Sequence, residues 1–292
     1  MNRPTWGNQI NAVVGRKYVV TLKKDQCLCL SIYGAYVDIR IYHDGVSITD
    51  FIRYQYHSSI FVSLAADKSG EYTFILDGGA NSAFLSAIIY GYDKNITTRY
   101  NRQSVSTYAK EWAAYPGNPK FSSNMFAELG GDCTNFVSQA VNAGGISMQH
   151  GDRNSPSSWF YYGSAPSQRS ASWTSANEFT RHFTTGIDGI GYRRASRSRA
   201  VTLYYAVAMF DEIFDFLDVG DVVQLTNIST TSRRHSMVIT DKGRTDGKNV
   251  LLFAQHSADD RNRWFSGHDL YQQLKLNSLY GAGNEFIMLI HI

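Results

Sequence analysis

The stretch that decides the reading is Gly130–Gly145, GGDCTNFVSQAVNAGG. Two glycines break the chain before it and two close it. Between them Phe136, Val137, Ala140 and Val141 recur at the spacing that puts apolar side chains on one helical face. The segment predicts a helix from Cys133 to Ala143, stopped by Gly144-Gly145. Cys133 is its first residue. Unpaired N–H groups and the helix dipole favour negative charge there, which lowers a thiol pKa from its usual value of about 8.5. The preceding glycines let another backbone come close, and the Cys133 N–H is a natural oxyanion donor. Asp132 is expected to cap the helix.

An activated thiol needs a base within reach. Of eight histidines, His235 opens the strand-like run HSMVIT (235–240), after the loop NISTTSRR, and His256 closes VLLFAQH (250–256). A hairpin through residues 241–248, with Thr240–Gly243 and Asp246-Gly247 as turn residues, brings the start of the first run beside the end of the second. His235 and His256 are then neighbours, as a base and the polar group orienting its far nitrogen must be. Gln255 and Asp259 are alternatives for the orienting role. Zinc would need close pairs such as CxxC or HxxxH, and a phosphate-cradling loop would need GxxxxGK[ST]. Neither occurs, so no metal and no cofactor is expected.

Working outward, YNRQSVSTYAKEWAAY (100–115) places Val105, Tyr108, Ala109 and Trp112 on one helical face, ended by Tyr115-Pro116-Gly117. Asn118-Pro119 and Phe121 follow in a loop. Residues 146–174 are polar and aromatic, with Trp159, Tyr161, Tyr162 and Trp173. Ser175 with Glu178 reads as a capping box opening a helix through Phe183. Residues 186–199 read as an exposed loop and 201–217 as helix. Strands are expected at Val222–Thr226, Ser236–Thr240, Val250–Gln255 and Glu285–Ile290, which makes the second half α+β. Before residue 94 the character differs: KYVVTLKK, QCLCLSIYG, VDIRIYHDG, SIFVSLAA, GEYTFILDG and SAFLSAIIYGYD alternate apolar and polar residues between Gly and Asp turns. That pattern predicts an antiparallel sandwich over 1–95, followed by a second domain over 96–292.

Composition sets limits. The 292 residues are 43% hydrophobic and 18% charged, enough apolar side chains for sizeable cores and too few charges for a disordered chain. The net charge of +3 comes without a dense basic face interleaved with aromatics, so no nucleic-acid partner is expected. No run of eighteen apolar residues spans a membrane. MNRPTWGNQINAVVG lacks a basic patch followed by an apolar core, so no signal peptide is visible. Of the three cysteines, Cys27 and Cys29 lie two apart on one expected strand, about 7 Å apart and too far for an easy bridge. Both read as packing residues, which leaves Cys133 alone in the second half.

The second half resembles the bacterial putative amidase domain family, a branch of the papain-like superfamily. The resemblance is carried by YNRQSVSTYAKEWA, Asn118-Pro119, GGDCTNFVSQAVNAGGI, Ser172-Trp173, VGDVVQL (219–225), HSMVIT (235–240) and AQHSADD (254–260), in the family's order and over about residues 98–291. The outline also looks like the NlpC-type cell-wall endopeptidases and the CHAP amidases. The resemblance implies a papain-like cysteine amidase domain with nucleophile Cys133, base His235 and third member His256. Asn118, Asp132, Gln255, Asp259 and Trp173 are candidates for oxyanion or substrate contacts, and Arg233-Arg234 for an acidic substrate group. It implies hydrolysis of an amide or peptide bond, with bacterial cell-wall peptide as the expected substrate. A toxin-like protease or deamidase acting on a host or competitor protein is an alternative, as are acyl transfer to an amine and a binding protein on an inactive scaffold. The N-terminal module would bind carbohydrate or protein. A secreted or wall-associated place in a bacterium is expected, and a cytoplasmic one stays open.

Overall fold

The computed structural model describes residues 9–24, 27–33, 37–49, 52–56, 59–78, 82–90, 100–114, 118–121, 131–184, 192, 194–227, 233–256, 264–280 and 285–292. The first part of the chain is all β: β1 (Gln9–Val13), β2 (Lys17–Leu22), β3 (Cys27–Tyr33), β4 (Val37–His43), β5 (Val46–Ile48), β6 (Ile52–Tyr56), β7 (Ser59–Ala65), β8 (Gly70–Gly78) and β9 (Ser82–Tyr90). They pair antiparallel in two sheets, ordered β1-β9-β3-β7-β6 and β2-β8-β4-β5. Alternation explains the burial. Tyr72, Phe74 and Leu76 of β8 face inward, as do Leu28, Leu30 and Ile32 of β3, and together they fill one core. Asp44-Gly45 closes β4 onto β5 as a two-residue turn, both residues at positive φ. β1, β5 and β6 were not legible as strands: β5 has three residues, and β1 and β6 alternate over only five. Cys27 and Cys29 belong to β3, but their side chains lie outside the described set.

From residue 100 onward helices and strands mix. The helices are α1 (Arg102–Trp112), α2 (Cys133–Ala143), α3 (Ala171–Thr174), α4 (Ala176–Phe183), α5 (Leu203–Ala208), α6 (Phe210–Phe216) and α7 (Leu270–Tyr280). The strands β10 (Arg197–Thr202), β11 (Val222–Asn227), β12 (Arg233–Thr245), β13 (Lys248–His256), β14 (Trp264–Asp269) and β15 (Glu285–His291) form an antiparallel sheet ordered β10-β15-β11-β12-β13-β14. Helices cover both faces. Val222, Val238, Ala254 and Ile290 pack against α1, α2 and α4. Val223, Met237, Ile239 and Phe253 pack against α5, α6 and α7. Among the described residues, no helix is long and apolar enough to cross a membrane.

Several expectations are corrected. β12 runs through Thr240–Gly243 to Thr245, so Asp246-Gly247 alone makes the hairpin turn. Of the segment expected as an exposed loop, 186–199, residues 186–191 and 193 lie outside the described residues, Arg194 and Ala195 are buried, and the last residues open β10, which pairs with β15. The helix expected over 201–217 is broken at Met209 into α5 and α6. Ser175 stands at the α4 N-cap without a side-chain capping bond, and Glu178 pairs with Arg181 at 3.2 Å instead. β14 and α7 were not anticipated. Of the two glycines after α2, Gly145 supplies the positive φ that ends the helix. Gly144 is there for space: a Cβ would meet Val105 and Tyr100 of the α1 region at 2.4 and 2.6 Å.

Candidate active site

α2 begins at Cys133, with Asp132 in the N-cap position, and Phe136, Val137, Ala140 and Val141 bury its inner face. The thiol is therefore fixed at the helix end by packing further along the same helix. His235 comes from β12 and hydrogen-bonds the Cys133 sulfur, as do the Thr134 hydroxyl and the Ser236 backbone N–H. Burial pushes the thiol pKa up. The bond to His235 and its charge, with Thr134 and Ser236, outweigh that and hold it below the ordinary value.

The register of the β12–β13 hairpin decides what stands behind His235. Val238 pairs with Ala254, so side-chain alternation puts His235 and Gln255 on one face and Ser236 and His256 on the other. The His235 Nε2–H donates to Gln255 Oε1 at 2.5 Å, which leaves Nδ1 to serve the sulfur. Gln255 is only 5% exposed. A buried amide oxygen that accepts from one imidazole nitrogen fixes both the tautomer and the ring plane.

His256 does not reach His235's far nitrogen. It lies on the face that meets α2, stacked on Phe136 with ring centroids 4.1 Å apart. Its Nδ1 meets Asp132 Oδ2 at 2.8 Å and its Nε2 meets the Trp112 carbonyl at 3.0 Å. Of the described residues expected to stand behind His235, Gln255 is the one in contact with it. A one-residue step along a strand reverses the face, and residue types alone do not show which face a strand end presents. Asp132 makes no capping bond and instead accepts from His256 and Asn135. Trp173 is fully buried beside Phe121 and Trp159, its Nε1 donating to Asn135 Oδ1, so it has no face for a substrate. The Asn118 amide donates to the Tyr108 hydroxyl at 2.9 Å and accepts from Lys120 N–H, away from any described contact with Cys133. Asp259 lies outside the described residues, as do the side chains of Arg233 and Arg234.

Two contributors went unread in the sequence. Thr134 and Ser236 meet through their hydroxyls at 2.9 Å, and Gln224 Nε2 donates to Ser236 at the same distance. Thr180 in turn donates to Gln224. This buried chain ties α2, β12, β11 and α4 together beneath the thiol. Its only sequence signal is that Thr134 and Ser236 directly follow Cys133 and His235. Among the described residues, no group of three or more His, Cys, Asp or Glu side chains could hold a metal ion.

A half-buried thiol at a helix N-terminus, a histidine against it and an amide behind the histidine have the chemistry that a nucleophile, a base and an orienting group require. A family model described as a putative amidase domain matches residues 99–281, and the chain belongs to that family. Membership suggests an amide hydrolase acting on C–N bonds. No curated protein and no solved structure matches the chain.

Proposed function

We propose that the protein is a cysteine-dependent amide hydrolase with a papain-like catalytic layout in its second domain, residues 96–292. The observation that carries this is the line of contacts Cys133–His235–Gln255. The Cys133 sulfur attacks the amide carbonyl while the thiol proton passes to His235 Nδ1. Charge building on the carbonyl oxygen is met by N–H groups at the start of α2. The C–N bond breaks as His235 returns the proton to the leaving amine, leaving a thioester on Cys133. Water attacks that thioester with His235 as base, freeing the acid and the thiol. Gln255 keeps the imidazole in register through both halves.

Peptide amides of the bacterial cell wall are the proposed substrate, on the motif order shared with the NlpC-type and CHAP enzymes. A secreted or wall-associated place goes with that substrate. The β-sandwich of residues 1–95 would hold the enzyme at the surface it works on, by binding carbohydrate or protein. The test is incubation of wild type and Cys133→Ala with defined cell-wall peptide fragments, read by product mass. Cleavage with gain of one water, absent in Cys133→Ala, is expected. Cleavage that survives Cys133→Ala would overturn the mechanism, and gain of an added amine in place of water would make it a transferase.

A further inference from the structure

Asp132 stands where a capping acid belongs, yet its carboxylate bonds none of the backbone N–H groups of the helix it opens. Oδ1 accepts from the Asn135 side chain at 2.7 Å and Oδ2 from His256 Nδ1 at 2.8 Å. His256 is 2% exposed and is gripped on its other sides by the Phe136 ring and the Trp112 carbonyl. The cost of the alternative is physical. A carboxylate bonded to the first-turn N–H groups of α2 would occupy the donors that stabilise a thiolate and put a like charge beside it. A thiol next in sequence to such an acid needs the acid held elsewhere.

We propose that His256 is a positioning residue for the nucleophile: it holds the Asp132 carboxylate off the start of α2, so that the helix N–H groups act on Cys133 instead. This rests on Cys133 being the nucleophile. The end of β13 then serves both partners at once. Gln255 steadies the base on one face of the strand, and His256 clears the nucleophile's helix on the other. Among the described residues, the titratable groups around the thiol are His235 from β12 and Asp132 from its own chain neighbour, with His256 from β13 behind the latter.

The test is the pH dependence of Cys133 alkylation by iodoacetamide in the full chain, read at the Cys133 peptide by mass spectrometry. His256→Leu is expected to raise the midpoint by about one pH unit, a tenfold loss of thiolate at a given pH below it. The double variant Asp132→Asn/His256→Leu is expected to return to the wild-type midpoint, because no carboxylate remains to swing onto the helix. A midpoint unmoved by His256→Leu would overturn the proposal, as would a raised midpoint that Asp132→Asn does not restore. Should His256→Leu fail to fold, Asp132→Asn alone decides. The near-isosteric amide is expected to leave the midpoint at or below wild type, and a rise like that predicted for His256→Leu would show the pair acting only as a structural tie. A wild-type midpoint as high as that of an ordinary thiol would instead overturn the reading of Cys133 itself.

Discussion

At the scale of single residues, the choice between Gln255 and His256 shows how chemistry and geometry divide the work. A neutral amide orients an imidazole but gives no charge to an imidazolium, so the base contributes more than its partner does. His235→Ala is expected to cut kcat for peptide cleavage by about 10²- to 10⁴-fold. Gln255→Ala should cost less and leave KM nearly unchanged, since it removes orientation and not the proton acceptor. Steady-state kinetics on a defined peptide checks both. A different histidine governs stability. His182 is fully buried, with Nδ1 donating to the Pro156 carbonyl at 2.7 Å and Nε2 facing the Arg194 guanidinium. Burial, helped by Arg194 and opposed by the Pro156 bond, pushes its pKa from 6.5 down to about 3. The fold therefore accepts only the neutral ring, while the unfolded chain takes up a proton near pH 6.5. Stability contributed here is intact above that pH and falls by about 1.4 kcal/mol per unit as pH drops toward 3. Urea midpoints between pH 7 and 4 should show this slope in wild type and a shallower one in His182→Gln.

At the scale of elements, Asp221 explains why a Gly-Asp pair precedes β11. Its carboxylate is fully buried and accepts from Arg102 of α1 at 2.7 Å, His291 of β15 at 2.6 Å, and the backbone N–H groups of Asp218 and Ile292. One acid thus joins the first helix of the domain to the sheet. Asp221→Ala leaves Arg102 facing a hole and should cost about 3–5 kcal/mol, measured by denaturant unfolding. The Asp246-Gly247 turn is a smaller determinant. Both residues have positive φ, and Gly247→Ala should cost about 1–2 kcal/mol by the same measurement. Elements with strong periodicity or a clear break were legible: α1, α2, β8 and β13 lie close to where their patterns put them. β14 and α7 were not. The α7 sequence LYQQLKLNSLY buries Leu270 and Leu274 but exposes Leu276 and Leu279, so its leucines do not trace one face. Ser175 and Glu178 had the spacing of a capping box without its bonds, because Arg181 one turn along the helix offers Glu178 a charged partner.

At the scale of the whole molecule, the core of the β-sandwich shares no residue with the two cores that flank the six-stranded sheet. Among the described residues, β10 of the second part comes against the sandwich, near β3, β7 and β9. Separate cores predict separate responses. Phe74→Ala, a cavity worth about 3–5 kcal/mol in the sandwich, should lower one calorimetric transition and leave the Cys133 alkylation midpoint unchanged. A shift of that midpoint would show the two parts to be one cooperative unit. The sequence by itself determined that Cys133 opens a helix, that a sandwich-like region precedes residue 94, and which histidine begins β12. These follow from periodicity, breakers and short-range capping, all of which act over a few residues. Only the tertiary structure decided that Gln255 backs His235, that His256 meets Asp132, and that Trp173 is core. Those depend on strand register and on which face meets a helix. A single-residue shift in either reverses every side chain, with no change in the local pattern that the sequence displays.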